Sequence, residues 1–300
     1  MIEEGSTVAV CGLPGSGKTT YLAALWHQIE SGEIDTQFKR GAYRSEYGYI
    51  NSLRNVWLEG REQVRTAQGS PNNVKLDLIG REGENIALNF PDHSGEVFSS
   101  IWADRECDQT LLDTLQTCSG LIAFVNVNNF RKPIKLARLI EQARSLEELQ
   151  GNSEALPESG QNVAHNQEVW SPSNSPHQVM ITDILQCISS APISAPIQKV
   201  AIFLSAWDLV SDQGVSPEQF LTQNMPLLSE YLGGGESGWD YQVYGLSAQG
   251  GKYRSHDSED PLSPQLEELM KLPKPSERVR LILGKDDMKD LSSPLEWLLS

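Results

Sequence analysis

Apolar residues along this chain fall into short strand-like runs separated by helix-spaced patterns. Val8-Ala-Val-Cys11 is a β-friendly run that enters a glycine-rich segment, after which Leu22, Leu25, Trp26 and Ile29 recur at helical spacing. Ile50–Leu58 carries a second helical pattern. Val74, Leu76 and Leu78 alternate with polar residues, as do Ile86, Leu88 and Phe90, and the turn between them contains Gly83; this predicts a β-hairpin. Leu121–Val125 and Val200–Leu204 are continuous apolar runs of the kind buried on both faces of a parallel sheet. Helical patterns cover 134–149, 177–188, 217–232, 262–272 and 290–299, and Tyr241–Tyr244 is expected to be the last strand of the sheet. Residues 31–73 are polar and aromatic with little other periodicity. Residues 150–176 are rich in Ser, Asn, Gly, Pro and Glu and read as a mobile insertion. The order predicts one α/β domain over 1–300, with a mostly parallel sheet, one antiparallel hairpin strand, helices on both faces and a helical extension over 252–300.

Composition narrows the partners. The chain has 300 residues and a net charge of −16, and its few basic pairs (Lys39-Arg40, Arg131-Lys132) are isolated. Neutralising a phosphate backbone needs clustered Lys and Arg, so no nucleic-acid partner is expected. No apolar run reaches the length of a membrane span, and Met1-Ile-Glu-Glu lacks the basic start of a leader. The four cysteines (Cys11, Cys107, Cys118, Cys187) form no C-x-x-C pair, which fits a reducing cytoplasm and implies no zinc site; Cys11 reads as a small buried hydrophobe.

The strongest chemical signal lies where the first strand meets the first helix. Gly12-Leu-Pro-Gly15-Ser16-Gly17-Lys18-Thr19-Thr20 is G-x-x-x-x-G-K-[ST] in strand–loop–helix context, the phosphate-binding loop. Gly12, Gly15, Ser16 and Gly17 let the backbone curl so that its N–H groups face phosphates. Lys18 reaches the β/γ-phosphates, Thr19 offers a hydroxyl to Mg²⁺, and Thr20 continues the first helical turn, whose positive end faces the anion.

Two further segments fit a nucleotide. Phe90-Pro-Asp92-His-Ser-Gly95-Glu96 follows the hairpin: Asp92 is placed to hold Mg²⁺ through water, and the Gly95 N–H to meet a γ-phosphate. Ser205-Ala-Trp-Asp208 follows a buried strand. The Asp208 carboxylate can accept from N1–H and the exocyclic amine of guanine, donors that adenine does not present in that geometry. Ser247-Ala248 follows the last expected strand and can bring backbone N–H groups to the guanine carbonyl.

The series of phosphate loop, hairpin, D-x-x-G, Asp208 and Ser-Ala resembles the Ras-like, translation-factor-related (TRAFAC) P-loop GTPases. The wording GLPGSGKTTYLAALW, PDHSGE, LSAWDLV and DLSSPLEWLL resembles the bacterial double-GTPase family through most of the chain. The resemblance implies a Ras-like P-loop NTPase fold that binds Mg²⁺ and GTP/GDP. It also implies a regulatory role beside protein partners of the same multi-gene conflict system, such as phage defence. Two departures stand out. Ala206 occupies the place of the lysine that stacks over guanine in the Ras-like motif, and Glu96 that of the glutamine that orients attacking water. Residues 31–73 correspond to the switch region. There Thr66 is the expected Mg²⁺-binding threonine, with Thr36 as the other candidate, and Arg65 could act as an arginine finger in cis. His93 reads as structural or solvent-facing.

These residues predict a cytoplasmic, Mg²⁺-dependent GTPase of low intrinsic rate, with Lys18, Glu96 and Arg65 at the chemistry and Thr19, Asp92 and Thr66 around the metal. The alternatives are a nucleotide-gated binding or scaffold module that hydrolyses little, and an ATP-using P-loop enzyme.

Overall fold

A computed structural model describes residues 6–41, 47–63, 73–91, 96–128, 171–235 and 238–300, with single residues 130, 140 and 144 besides. Its frame is a nine-stranded sheet of order β2-β3-β4-β1-β5-β6-β7-β8-β9. The strands are β1 Ser6–Gly12, β2 Phe38–Arg40, β3 Asn73–Gly80, β4 Asn85–Pro91, β5 Gly120–Asn126, β6 Lys199–Ser205, β7 Asp240–Ser247, β8 Arg280–Leu283 and β9 Asp286–Met288. The described helices are α1 Lys18–Ser31, α2 Gly48–Leu58, α3 Glu96–Ala103, α4 Gln109–Thr117, α5 His177–Ser189, α6 Pro217–Asn224, α7 Pro226–Gly233, α8 Pro264–Met270 and α9 Ser293–Leu299.

Strands β4, β1, β5, β6 and β7 run parallel to one another. Their alternate side chains feed two cores. Val8, Val10, Ile122, Phe124, Ala201 and Phe203 face α1, α2, α8 and α9. Ala9, Cys11, Leu121, Ala123, Val200 and Ile202 face α3 to α7. Both faces are covered, which is why the central strands read as unbroken apolar runs. On the first face Tyr21, Phe124, Phe203 and Tyr244 pack ring to ring at centroid distances of 5.1 to 5.5 Å.

The hairpin forms as expected, with Leu76 opposite Leu88, although both strands are longer than the alternation implied. The sheet differs from expectation at its far side. Tyr241–Tyr244 lies within β7, which is not the last strand: β8 adds antiparallel to β7 and β9 to β8, so two strands, not one, run against the others. Residues 252–300 accordingly contain a strand pair as well as α8 and α9. The helix expected over 217–232 is two, because Pro226 has no N–H to give and instead opens α7. Of the expected helix over 134–149 only residues 140 and 144 are described, both helical. The insertion over 150–176 lies outside the described residues up to residue 170, and Pro172–Asn174 then form a 3₁₀ turn. No helix among the described residues is long and apolar enough to cross a membrane.

Candidate functional site

Because β4, β1, β5, β6 and β7 are parallel, their carboxyl ends meet at one edge of the sheet, where open α/β sheets hold ligands. Gly12 ends β1 there. A Cβ on Gly12 would sit 2.7 Å from Ser16 Oγ and 2.9 Å from Phe124 Cβ, so only glycine lets the loop turn this tightly beside β5. The loop ends at Gly17, the N-cap of α1, which has a left-handed backbone and no side-chain cap. With no acidic residue in the first turn either, the amino end of α1 keeps its N–H groups and positive dipole available to an anion.

Lys18 closes the loop on itself. Its ammonium donates to the carbonyls of Gly12 at 2.6 Å and Leu13 at 3.1 Å and to Ser16 Oγ at 3.2 Å. The cation therefore stands in the concavity where phosphate oxygens would lie. Behind it, Cys11 is fully buried; burial pushes its thiol up to about 12 against the opposing pull of Lys18, so it packs as a neutral group.

Two residues that the motif reading did not single out fix the loop from behind. Ser205, the last residue of β6, donates its hydroxyl to the Ser16 carbonyl at 2.7 Å. Asn126, the last residue of β5, donates its amide to the Gly15 carbonyl at 2.9 Å. Each is the polar residue that directly ends an apolar run, on the two strands that follow β1 in the sheet. That position is the signal that could have found them.

Ser205 also begins the segment that carries Asp208. Ala206 takes a left-handed φ of 57° and leads into the 3₁₀ turn Trp207–Leu209, so Asp208 sits within that turn and does not cap a helix. Asp208 Oδ1 accepts the Ser247 hydroxyl at 2.7 Å, and Ser247 Oγ accepts the Gly250 N–H at 3.2 Å. The pair joins the ends of β6 and β7 and leaves the other carboxylate oxygen with acceptor capacity. Trp207 does not reach the open side of this turn. Its indole is buried against Gly245, whose added Cβ would lie 2.5 Å from the ring, and against Phe220 at 5.6 Å. No aromatic cover for a base is supplied from that position.

Asp92, His93 and Gly95, and the pair Arg65–Thr66, lie outside the described residues; Glu96 opens α3, with nothing described of its side chain. Thr36 is described and turns inward on its own loop, its hydroxyl donating to the Phe38 carbonyl at 2.8 Å beside the edge strand β2. Thr19 and Thr20 stand half-buried in the first turn of α1. Among the described residues no group of three or more carboxylate, imidazole or thiol side chains could by itself hold a metal ion. One threonine hydroxyl beside a phosphate cradle suits Mg²⁺, which takes few protein ligands and completes its octahedron with phosphate oxygens and water.

A glycine-rich loop uncapped at a helix amino end, a lysine in its bowl and a serine–aspartate pair at the same sheet edge define a P-loop nucleotide-binding α/β protein. More narrowly, the chain belongs to the Double-GTPase 1 family, whose model matches residues 9–298; it is thus of the GTPase, GTP-binding class. No curated protein matches the chain. Among solved structures, the Ski7 GTPase-like domain of S. cerevisiae bound to GTP is similar at 14% identity over 89% of this chain and 49% of its own, with a TM-score of 0.38. Bacterial selenocysteine-specific elongation factor EF-Sec is similar at 13% identity over 83% of this chain and 26% of its own, with a TM-score of 0.34. The signal recognition particle receptor complex SRb-GTP/SRX of Chaetomium thermophilum is similar at 12% identity over 89% and 96%, with a TM-score of 0.34. The chain spans about half of the Ski7 domain and about a quarter of the elongation factor.

Proposed function

We propose that this protein is a Mg²⁺-dependent molecular switch that binds GTP at the carboxyl edge of its sheet and hydrolyses it slowly to GDP and phosphate. The observation that carries the reading is the direct link between the two halves of the site. The Ser205 hydroxyl holds the phosphate loop at Ser16, and the same segment, a few residues on, presents Asp208, paired with Ser247. A ligand that engages both must carry phosphates at one end and a base with adjacent donors at the other. In this reading Lys18 and the loop N–H groups stabilise charge on the transferred phosphoryl group, and Thr19 with Asp92 and Thr66 orders Mg²⁺. Glu96 orients water, while Arg65 supplies a cation in cis. The family resemblance adds a regulatory role in a bacterial conflict system, exercised through protein partners of the same system in the cytoplasm.

The test is displacement of a fluorescent guanine nucleotide. GTP and GDP should compete far better than ATP in the presence of Mg²⁺, and Lys18→Ala should abolish binding while leaving the circular dichroism spectrum unchanged. Equal competition by ATP would remove the guanine assignment. Undiminished binding by folded Lys18→Ala would remove the phosphate-loop assignment. Single-turnover phosphate release then separates a switch from a module that does not hydrolyse. Ras-like domains without a supplied arginine turn over at about 10⁻⁴ to 10⁻³ per second and those with one in cis at about 10⁻² per second; release no faster than the latter is expected here, and Arg65→Ala should lower it towards the former.

A further inference from the structure

The loop Ser247–Gly250 is held at three points. Two lie within the site: the Ser247 hydroxyl on Asp208 and the Gly250 N–H on Ser247 Oγ. The third comes from far away in the chain. Trp57, on α2 in the segment between α1 and the hairpin, donates its indole N–H to the Ala248 carbonyl at 2.9 Å. Trp57 is fully buried and Ala248 nearly so. Water cannot replace this donor, and the carbonyl would be left unpaired without it.

The indole is itself boxed in. The His27 ring lies 5.3 Å from it, and the Arg278 guanidinium stands 5.4 Å over its face. Arg278 is also buried and donates to the carbonyls of Leu269 at 3.2 Å and Leu58 at 3.3 Å. On the far side, a Cβ at Gly250 would lie 2.5 Å from the Arg278 carbonyl oxygen, so the loop backbone runs hard against the same residue that clamps the tryptophan. Beyond α2 the chain stays fastened to the segment after the loop. Arg254 N–H donates to the Gly60 carbonyl at 3.1 Å, Glu62 N–H to the Arg254 carbonyl at 2.8 Å, and Arg61 to the Ser258 carbonyl at 3.1 Å. A group locked by packing on both sides and aimed at one peptide plane holds that plane in a single orientation.

We propose that Trp57 is a positioning residue for base recognition: its N–H fixes the Ala248–Gln249 peptide, which carries the Gln249 N–H and is joined through the Ala248 α-carbon to the peptide that carries the Ala248 N–H, so that the N–H groups of this turn point at the six-position carbonyl of the bound purine. This rests on the reading of Ser247–Ala248 as the base loop. It extends the base site to an element that no phosphate or base motif includes. Hypoxanthine shares the six-position carbonyl with guanine and lacks the two-position amine; adenine has neither group. Loss of the Trp57 donor should therefore weaken the diphosphates of guanosine and inosine alike, and leave adenosine diphosphate and tripolyphosphate, which has no base, where they were.

The experiment measures displacement of fluorescent GDP by GDP, IDP, ADP and tripolyphosphate from wild type and from Trp57→Phe, which keeps a ring between His27 and Arg278 and loses the donor. GDP and IDP should each bind about tenfold more weakly, with their ratio, which reports Asp208, unchanged and with ADP and tripolyphosphate unmoved. An equal loss for all four ligands would show a merely structural role and overturn the proposal, as would a variant whose preferences match wild type. If Trp57→Phe does not fold, β-(3-benzothienyl)alanine at position 57 preserves the bicyclic shape without the N–H, and the same four ligands are compared on it with the same expected losses. Failure of the underlying base reading looks different: wild type itself would bind GDP and ADP equally.

Discussion

Asp208 shows how little of a side chain's role resides in its own identity. A carboxylate in a turn after a strand is common, and what distinguishes this one is the Ser247 hydroxyl at 2.7 Å, which engages one oxygen and leaves the other with acceptor capacity. Proposed to accept from two guanine donors, Asp208 should lose that preference when one oxygen becomes an amide. Asp208→Asn is expected to favour xanthosine over guanosine diphosphate by about ten- to a hundredfold, because xanthine carries a carbonyl where guanine carries its amine and an unmet hydrogen bond in a closed site is costly. Isothermal titration with both diphosphates measures this, and an unaltered preference for guanosine would remove Asp208 from the base site. Ala206 and Trp207 complete the residue-scale picture. The motif lacks its stacking lysine, and the tryptophan that follows does not replace it, since its ring is spent on the core against Gly245 and Phe220.

At the scale of elements, α1 links the sheet, the proposed site and the carboxyl-terminal segment. Its amino end faces the proposed phosphates, its apolar side packs on the sheet, and its Gln28 binds the carboxyl-terminal segment. The fully buried Gln28 amide donates to the Lys289 carbonyl at 2.8 Å and accepts the Leu291 N–H at 3.0 Å, while Tyr21 donates to the Leu291 carbonyl at 3.0 Å. These bonds stitch the chain just before α9 to the phosphate helix. Gln28→Ala would remove the partner of both backbone groups, the Leu291 N–H inside the core and the half-buried Lys289 carbonyl. A loss of about 2–4 kcal/mol is expected, read as a lower urea midpoint with an unchanged m-value. A change below about 0.5 kcal/mol would show that the stitch does not hold the two segments together. Such links explain what the pattern of apolar residues could and could not convey. The hairpin, the central strands and α1 were legible because burial on one or two faces imposes a period. Strands β2, β8 and β9 have three or four residues each, too few to show any period, and Asp286-Asp-Met288 is polar because it forms the rim of the sheet. Helices α3 and α4 have eight and nine residues, little more than two turns each, too few for a clear period to stand out in the sequence, although Asp108 caps α4 by accepting the Leu111 N–H at 2.8 Å. At the site, Lys18 and Asp208 belong to local motifs. Ser205, Asn126 and Trp57 act on partners roughly one hundred to two hundred positions away, a relation that only the fold creates.

On the scale of the whole molecule, the place where α1, α2 and the carboxyl-terminal segment converge holds a buried histidine. Burial lowers the His27 pKa from its ordinary value of 6.5, and the nearby guanidiniums of Arg54 and Arg278 push the same way. The Glu33 carboxylate, 3.2 Å from Nε2, pulls upward but does not prevail. His27 is thus neutral in the fold at pH values where the unfolded chain already takes up a proton. As pH falls through 6.5 the unfolded state binds more protons than the native state, so His27 subtracts stability from there down to its lowered folded value. The limit for one proton is about 1.4 kcal/mol per pH unit. A second effect opposes it. The chain carries a net charge of −16, and mild acidification relieves its self-repulsion, so the total stability of wild type does not isolate the histidine. The difference between wild type and His27→Gln does, because both share the same acidic surface. Chemical denaturation at intervals between pH 7.5 and 5.5 should show wild type losing ground to the variant as the pH falls, with the slope confined to values below about 6.5. Glu33, whose carboxyl is held below its ordinary 4.5, contributes only at lower pH and leaves this window clear. A difference that stays constant across the range would mean that His27 titrates alike in the folded and unfolded chain, and wild type gaining on the variant as the pH falls would mean that His27 is protonated in the fold and that the junction is held by an ion pair with Glu33; either outcome overturns the prediction.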